Sequence, residues 1–253
     1  MKDKIVLITG ASSGIGEGCA RKFAAMGADL ILNGRNLDKL NSLKKELTLN
    51  GTDVYILPFD VRDREAVKSA VSSLNGKWCN IDILINNAGL VIGVDKEFEV
   101  DPNEWDVMID TNIKGLLTMT RLIVPGMIER GKGHIINIGS IAGDAAYPGG
   151  SVYCATKAAV KALSDGLRID LVDTPLRVTN VKPGMVETNF SVVRYRGDKN
   201  RADDFYKGIK PLNGDDIAEV VYYAASAPGH VQIAEILVMP TNQATGTISY
   251  KKQ

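Results

Sequence analysis

Three cysteines and two histidines are the only side chains in 253 residues that offer a metal a thiolate sulfur or an imidazole nitrogen. Cys19, Cys79 and Cys154 are odd in number and lack CxxC or zinc-ligand spacing, and His134 and His230 have no second ligand at helical spacing beside them. Neither a disulfide framework nor a metal site is expected, and a reduced cytoplasmic setting fits best. Charge of one sign is missing too, because 30 Lys and Arg balance 30 Asp and Glu. Without a basic field or a like-charge block, nucleic acid and anionic membranes are not expected as partners, and a bound anion must be held locally. No stretch approaches the ~18 apolar residues of a membrane helix. The apolar run ending at Thr9 is too short for a signal peptide, so the mature chain is expected to start at or near Met1. Solenoid-period repeats, low-complexity segments and Pro/Ser-rich linkers are also absent.

What is present is a rhythm. Short aliphatic or β-branched runs near 4–9, 29–33, 53–57, 82–86, 134–138, 176–181 and 234–239 bracket longer amphipathic stretches. Such alternation predicts βαβ units in a parallel sheet. The near-continuous apolar character of Ile83-Leu84-Ile85 and Ile135-Ile136 predicts helices on both faces. The expected architecture is one α/β domain over 1–253: a Rossmann fold with a doubly wound, seven-stranded parallel sheet. From Pro102 to Arg130 the spacing is helical, with Trp105, Met108, Ile109, Asn112 and Leu116 on one face and Asn112 its odd polar member. The long irregular stretch at 187–212, charged and tyrosine-containing, is expected to be a substrate lid.

Directly after the first strand, Thr9-Gly10-Ala11-Ser12-Ser13-Gly14-Ile15-Gly16 opens a helix. Glycines there let the backbone turn tightly against a pyrophosphate, whose charge meets free N–H groups and the positive helix end. The spacing is TGxxxGxG rather than GxGxxG, but it sits at the carboxyl end of a strand, where open α/β sheets bind ligands. The second strand ends Leu32-Asn33-Gly34-Arg35-Asn36, with no carboxylate to accept from an adenosine ribose. Gly34 removes bulk and negative charge while Arg35 can grip a 2′-phosphate through a bidentate fork. NADP is therefore the expected cofactor in preference to NAD.

Tyr153 and Lys157 stand four apart, on one face if 151–172 is helical. A phenol must be made more acidic by ~4 kcal/mol to be half ionised near neutrality. A neighbouring ammonium and a helix N-terminus both act in that direction. Ser140, just past the Ile135-Ile136-Asn137-Ile138 strand, should emerge at the same sheet edge, with a hydroxyl able to hold a carbonyl oxygen. The surrounding Ile138-Gly139-Ser140-Ile141-Ala142 lacks the first glycine of a GxSxG nucleophile elbow, which argues against hydrolase chemistry. Asn112, polar within an apolar face, needs a partner, and a water-bridged proton path to Lys157 would provide one.

Taken in order along essentially the whole chain, these residues resemble the short-chain dehydrogenase/reductase family. The resemblance implies a cofactor turn at Gly10, Ser12, Ser13, Gly14, Ile15 and Gly16, with Arg35-Asn36 following the second strand and Asp60-Val61 beside adenine. It also implies that Asn87-Ala88-Gly89 of Asn86-Asn87-Ala88-Gly89, Pro183-Gly184, Val186 and Thr188 line the cofactor. Asn112, Ser140, Tyr153 and Lys157 match its catalytic tetrad. In that mechanism Ser140 orients the substrate oxygen, Tyr153 exchanges the proton, Lys157 lowers the Tyr153 pKa and holds the nicotinamide ribose, and Asn112 keeps a water in the proton path.

Within the family, Ser140-Ile141-Ala142-Gly143, Tyr147-Pro148-Gly149-Gly150-Ser151 and Val193-Arg194-Tyr195-Arg196-Gly197-Asp198 resemble the NADP-dependent 3-hydroxy acid dehydrogenases. That subgroup implies substrates of the serine, allo-threonine, 3-hydroxypropionate or 3-hydroxyisobutyrate type. A carboxylate substrate needs a cation, and Arg194 or Arg196 in the expected lid could supply it. Two other functions remain open: a broad carbonyl or diketone reductase, and a non-catalytic cofactor-binding protein on the same fold. Helices around 102–130 and 151–172 resemble those through which the family forms dimers and tetramers, so a homo-oligomer is expected.

Overall fold

Every one of the seven apolar runs forms a strand in the computed structural model, which describes residues 1–251. The strands are β1 (Ile5–Ile8), β2 (Asp29–Gly34), β3 (Val54–Pro58), β4 (Ile83–Asn86), β5 (His134–Ile138), β6 (Arg177–Pro183) and β7 (Glu235–Val238). They form one parallel sheet in the order β3-β2-β1-β4-β5-β6-β7. Strand order reverses between β1 and β4, and that switch point opens a crevice at the carboxyl ends of the strands.

Alternation along the strands builds two cores. Val6, Ile8, Leu30 and Leu32 face one side and pack on Phe23 of helix α1 (Gly14–Ala25), Leu40 of α2 (Leu37–Leu49) and Val221 of α9 (Gly214–Ser226). Ile5, Leu7, Leu84 and Ile135 face the other and meet Val67 of α3 (Arg64–Ser72) and Met119 and Met127 of α5 (Leu116–Glu129). Both faces are therefore dry, as the continuous apolar runs require. Local capping sets where helices start. Asn213 forms a reciprocal capping box with Asp216 at α9, and Asp101 caps α4 (Pro102–Ile109), which has proline in its first turn.

Two stretches differ from expectation. The helix expected over 102–130 is interrupted by a π turn, Asp110–Gly115, that carries Asn112. The stretch expected to be irregular folds into two short helices, α7 (Asn189–Arg194) and α8 (Lys199–Tyr206). They are started by Thr188, which accepts from the Phe190 N–H, and Asp198, which accepts from the Arg201 N–H, and are held by buried Ser191, Ala202 and Tyr206. Six and eight residues are too few to leave a readable period. Helix α6 (Ser151–Asp170) runs beside β5 and β6. Among the described residues no helix is long and apolar enough to cross a membrane.

Candidate active site

A cavity of about 780 Å³ lies over the carboxyl ends of the central strands. Its floor at one end is the turn after β1. Gly10 and Gly14 adopt the left-handed conformation, with φ of 65° and 57°. A Cβ on Gly16 would strike the Gly10 carbonyl oxygen and approach the Asn87 amide to 2.6 Å, so α1 can start this close to the turn only on glycine. Asn87 ties the turn down, donating from its side-chain amide to the Thr9 and Gly10 carbonyls at 2.8 and 3.2 Å. Ser13 precedes α1 without capping it. The first N–H groups of α1 therefore face the cavity without a side-chain acceptor, and a glycine cradle beside such a helix end fits a pyrophosphate.

At the rim, Gly34 and Arg35 line the cavity, and the Arg35 guanidinium lies 3.8 Å from Asp60. Asp60 is held more tightly by Arg62, at 2.7 Å, and that partner keeps its carboxyl below the usual range against the effect of burial. Val61, Ala88, Gly89, Pro183, Gly184, Val186 and Thr188 all line the cavity, as do Ser12, Ser13 and Ile15. Asn36 does not. Its side-chain oxygen caps α2 by accepting from the Lys39 N–H at 3.0 Å, next to Arg35 at the rim.

Tyr153 and Lys157 stand one turn apart on α6, both buried, with the Lys157 Nζ 5.9 Å from the Tyr153 ring centre. Burial lowers the Lys157 pKa to about 8. Its ammonium donates to the Ile138 carbonyl at 2.8 Å, the partner that a buried cation requires. Burial raises the Tyr153 phenol, the neighbouring Tyr147 adds to that, and the Ser140 hydroxyl and Arg194 oppose it. Ser140 starts a short 3₁₀ turn (Ile141–Gly143), accepting from the Ala142 N–H at 3.0 Å, with its hydroxyl 3.5 Å from the Pro183 carbonyl.

Asn112 lies behind this group rather than in the cavity wall. Its partners are protein groups: the Leu90 N–H at 2.9 Å, the Leu90 carbonyl at 2.8 Å and the Thr156 hydroxyl at 3.0 Å. A Cβ on Gly89 would lie 3.3 Å from the Asn112 oxygen and 3.5 Å from the Lys157 Nζ, so both polar groups approach the side of that glycine where a side chain would stand.

Beyond Tyr153, Arg194 lines the cavity with its guanidinium stacked 5.2 Å from the Tyr147 ring centre and 5.5 Å from that of Phe205. Its Nε is buried without a hydrogen-bond partner. Arg196 is placed differently. It is in the left-handed region at φ 51°, pairs with Asp95 and with Glu104 at 2.7 Å, and does not line the cavity. Two carboxylates already satisfy it, so of the two arginines only Arg194 faces the space beside Tyr153.

Sequence reasoning misses part of the wall. Gln243 accepts from the Met185 N–H at 2.8 Å and sits where a Cβ on Gly184 would be, while Thr247 and Ser249 line the cavity beside it. The tail has no period to read. Its only signal is the glycine at 184, which signals that some neighbour must approach closely.

A family model described as short chain dehydrogenase matches residues 4–198. The chain is 45% identical to the NADP-dependent 3-hydroxy acid dehydrogenase of Escherichia coli strain K12, covering 98% of this chain and 100% of that protein. It is also 45% identical to sulfoacetaldehyde reductase 2 of Chromohalobacter salexigens, over 95% of each. Among solved structures, the closed form of a serine dehydrogenase complexed with NADP+ superposes with a TM-score of 0.93 at 45% identity, covering 98% of this chain and 100% of that one.

Proposed function

The chain belongs to the short-chain dehydrogenase family, and from that premise we propose that it is an NADP-dependent oxidoreductase acting on a small 3-hydroxy acid of the serine, allo-threonine, 3-hydroxypropionate or 3-hydroxyisobutyrate type. The observation that carries the reading is a guanidinium, Arg194, with a buried unpartnered Nε, in the same cavity wall as Tyr153, Ser140 and Lys157. Relatives named for hydroxy acid and sulfoacetaldehyde substrates, both of which carry an acid group, support an anion at that place.

When bound, the nicotinamide supplies or accepts the hydride. The Gly10–Gly16 turn would hold the pyrophosphate, Arg35 a 2′-phosphate, and Asp60 and Val61 the adenine side. Asn87, Ala88 and Gly89, with Pro183, Gly184, Val186 and Thr188, would flank the nicotinamide half. Ser140 orients the substrate oxygen and Tyr153 moves the proton at its phenol oxygen. Because burial raises that phenol, it is protonated near neutrality and ready to donate, the role needed for carbonyl reduction. Lys157 is mostly charged below its pKa of about 8 and would hold the nicotinamide ribose beside Tyr153. Asn112 keeps the Leu90 backbone and Thr156 in place behind them.

The segment 187–212, which carries Arg194, is proposed as the substrate lid of a single 1–253 domain. Leu117 and Ile128 on α5 and Ile169 near the end of α6 are exposed apolar side chains, which supports a homo-oligomer, dimer or tetramer, through these helices. Cys19 and Cys154, buried and free, support a cytoplasmic setting.

A panel of serine, allo-threonine, 3-hydroxypropionate and simple secondary alcohols, each with NADP+ and NAD+, tests the reading. The acids with NADP+ are expected to turn over best, Tyr153→Phe to lose about 10²–10⁴-fold in kcat, and Arg194→Ala to raise KM for the acids but not for the alcohols. Equal or better rates on neutral alcohols and ketones would favour the second reading, a broad carbonyl reductase, which the aromatic walls Phe190 and Phe205 also suit.

A further inference from the structure

Outside the cavity, two charged side chains, Asp82 and Lys182, are buried with no part in the chemistry above, and the second lies beside the site. Lys182, on β6 directly before Pro183, is only 6% exposed, and its ammonium lies between two carboxylates. Asp144 accepts from it at 2.8 and 2.9 Å, and Glu235, at the start of the edge strand β7, lies at 2.6 Å. Asp144 immediately follows the 3₁₀ turn that Ser140 caps. The two acids therefore tie Lys182 to different places, one to the turn of Ser140 and the other to the sheet edge.

That turn is wedged on its opposite side. A Cβ on Gly143 would lie 2.6 Å from the Lys157 carbonyl oxygen and 3.0 Å from the Ala158 nitrogen, so the turn packs backbone against backbone on α6 at the level of Lys157. Toward β6, the backbone bond from the Gly139 N–H to the Val181 carbonyl holds its start at 2.8 Å, and the Ser140 hydroxyl is 3.5 Å from the Pro183 carbonyl. The Lys182–Asp144 pair closes the other end of the same loop on the same strand. A turn pinned at both ends against β6 and pressed onto α6 has no freedom to slide, and its first residue is the serine that must meet both the substrate oxygen and Tyr153.

We propose that the Lys182–Asp144 ion pair is a positioning device for Ser140, locking the 140–144 turn to β6 so that the serine hydroxyl is held at the reacting oxygen. The inference rests on the role given to Ser140 above. Lys182 and Asp144 touch neither substrate nor cofactor in it and act through that serine. Glu235 shares the ammonium but not the turn, and so serves as the internal control.

The test is a coupling experiment on the full chain with NADP+ and the preferred acid. Lys182→Met and Asp144→Asn are expected to lower kcat about tenfold or more, as misplacement of a reacting group does. NADPH affinity, read by nicotinamide fluorescence, should stay within about twofold, and Lys182→Arg should recover most of the rate. Glu235→Gln should lower the melting temperature with kcat close to wild type. In a Ser140→Ala background, Asp144→Asn should cost nothing further, because groups acting through one another are not additive. Asp144 is partly exposed, so its variant keeps the test alive if Lys182→Met does not fold. Wild-type kcat in both single variants, equal losses in Glu235→Gln, or additive loss on Ser140→Ala would each overturn the proposal. Full activity of Ser140→Ala alone would instead overturn the role given to Ser140.

Discussion

Lys157 keeps its one hydrogen bond to the Ile138 carbonyl in a pocket dry enough to bring its pKa from 10.5 to about 8. A difference of that size is worth ~3 kcal/mol of stability. The sign follows from proton counting. Below pH 8 the folded and unfolded chains both carry the proton, and folding bears the whole cost of burying the charge. Between about 8 and 10.5 the unfolded chain binds more protons than the folded one, so stability rises with pH until the cost is gone. Lys157→Met in the cofactor-free protein should therefore be more stable than wild type at pH 7, by ~1–3 kcal/mol once the unpaired Ile138 carbonyl is counted. The advantage should shrink toward pH 10, while turnover is lost. Urea unfolding at pH 7 and pH 10 measures it, and a variant less stable than wild type at pH 7 would contradict the account. Gly16 carries the opposite lesson, of a residue kept for its absence of atoms. Gly16→Ala drives a methyl into the Gly10 carbonyl and the Asn87 amide, and is expected to cost ~1–3 kcal/mol in stability and to weaken dinucleotide binding, read by NADPH titration.

Helix α7 is fastened to the body of the protein at two points on one side: the Gly93 N–H donates to the Arg194 carbonyl at 2.9 Å, and Arg196 pairs with Asp95 and Glu104. Because Arg196 is about half exposed, each pair is worth only ~0.2–1 kcal/mol. Arg196→Ala should thus loosen α7 and raise KM for the acid by roughly two- to fivefold with kcat unchanged, whereas Arg194→Ala should raise it tenfold or more. A loss of the larger size at Arg196 in initial-rate measurements would put that residue on the substrate. These two arginines also mark where the sequence ceases to be readable. The seven strands were legible because strands covered on both faces must be continuously apolar, and the glycine turn because only glycine tolerates its left-handed backbone. The Tyr153–Lys157 pair was legible because α6 is long and periodic. Helices α7 and α8 are too short for a period and depend on caps and a few buried contacts. Which of two arginines two residues apart faces the cavity depends on a left-handed backbone at Arg196 that no local pattern announces. Gln243 was hidden for a related reason, since its place is set by contacts with Gly184 and Met185, some sixty positions earlier.

Segments distant in sequence meet only when the whole sheet is assembled. The cavity takes Gly10 from beyond β1, Gly34 from β2, Gly89 from beyond β4, Ser140 from beyond β5, Gly184 from beyond β6 and Thr247 from the tail. A ligand that touches all of these has no counterpart to bind in the unfolded chain, so its binding energy adds to the stability of the fold by mass action. At a concentration one hundred times its Kd that amounts to ~2.7 kcal/mol. For a domain of this size the melting temperature should rise by roughly 5–10 °C. The Arg35 guanidinium is exposed at the rim, with its nearest carboxylate at 3.8 Å, and is therefore available to a 2′-phosphate at little cost in broken contacts. NADP+ should accordingly raise the melting temperature more than NAD+ at equal concentration. Arg35→Ala should remove most of that difference without changing the melting temperature of the cofactor-free protein, since an exposed and loosely paired arginine contributes little to the fold. Thermal denaturation with each dinucleotide measures both effects. Equal shifts from the two dinucleotides in the wild type would mean that the rim does not read the phosphate, and the cofactor preference would then have to be sought elsewhere in the cavity.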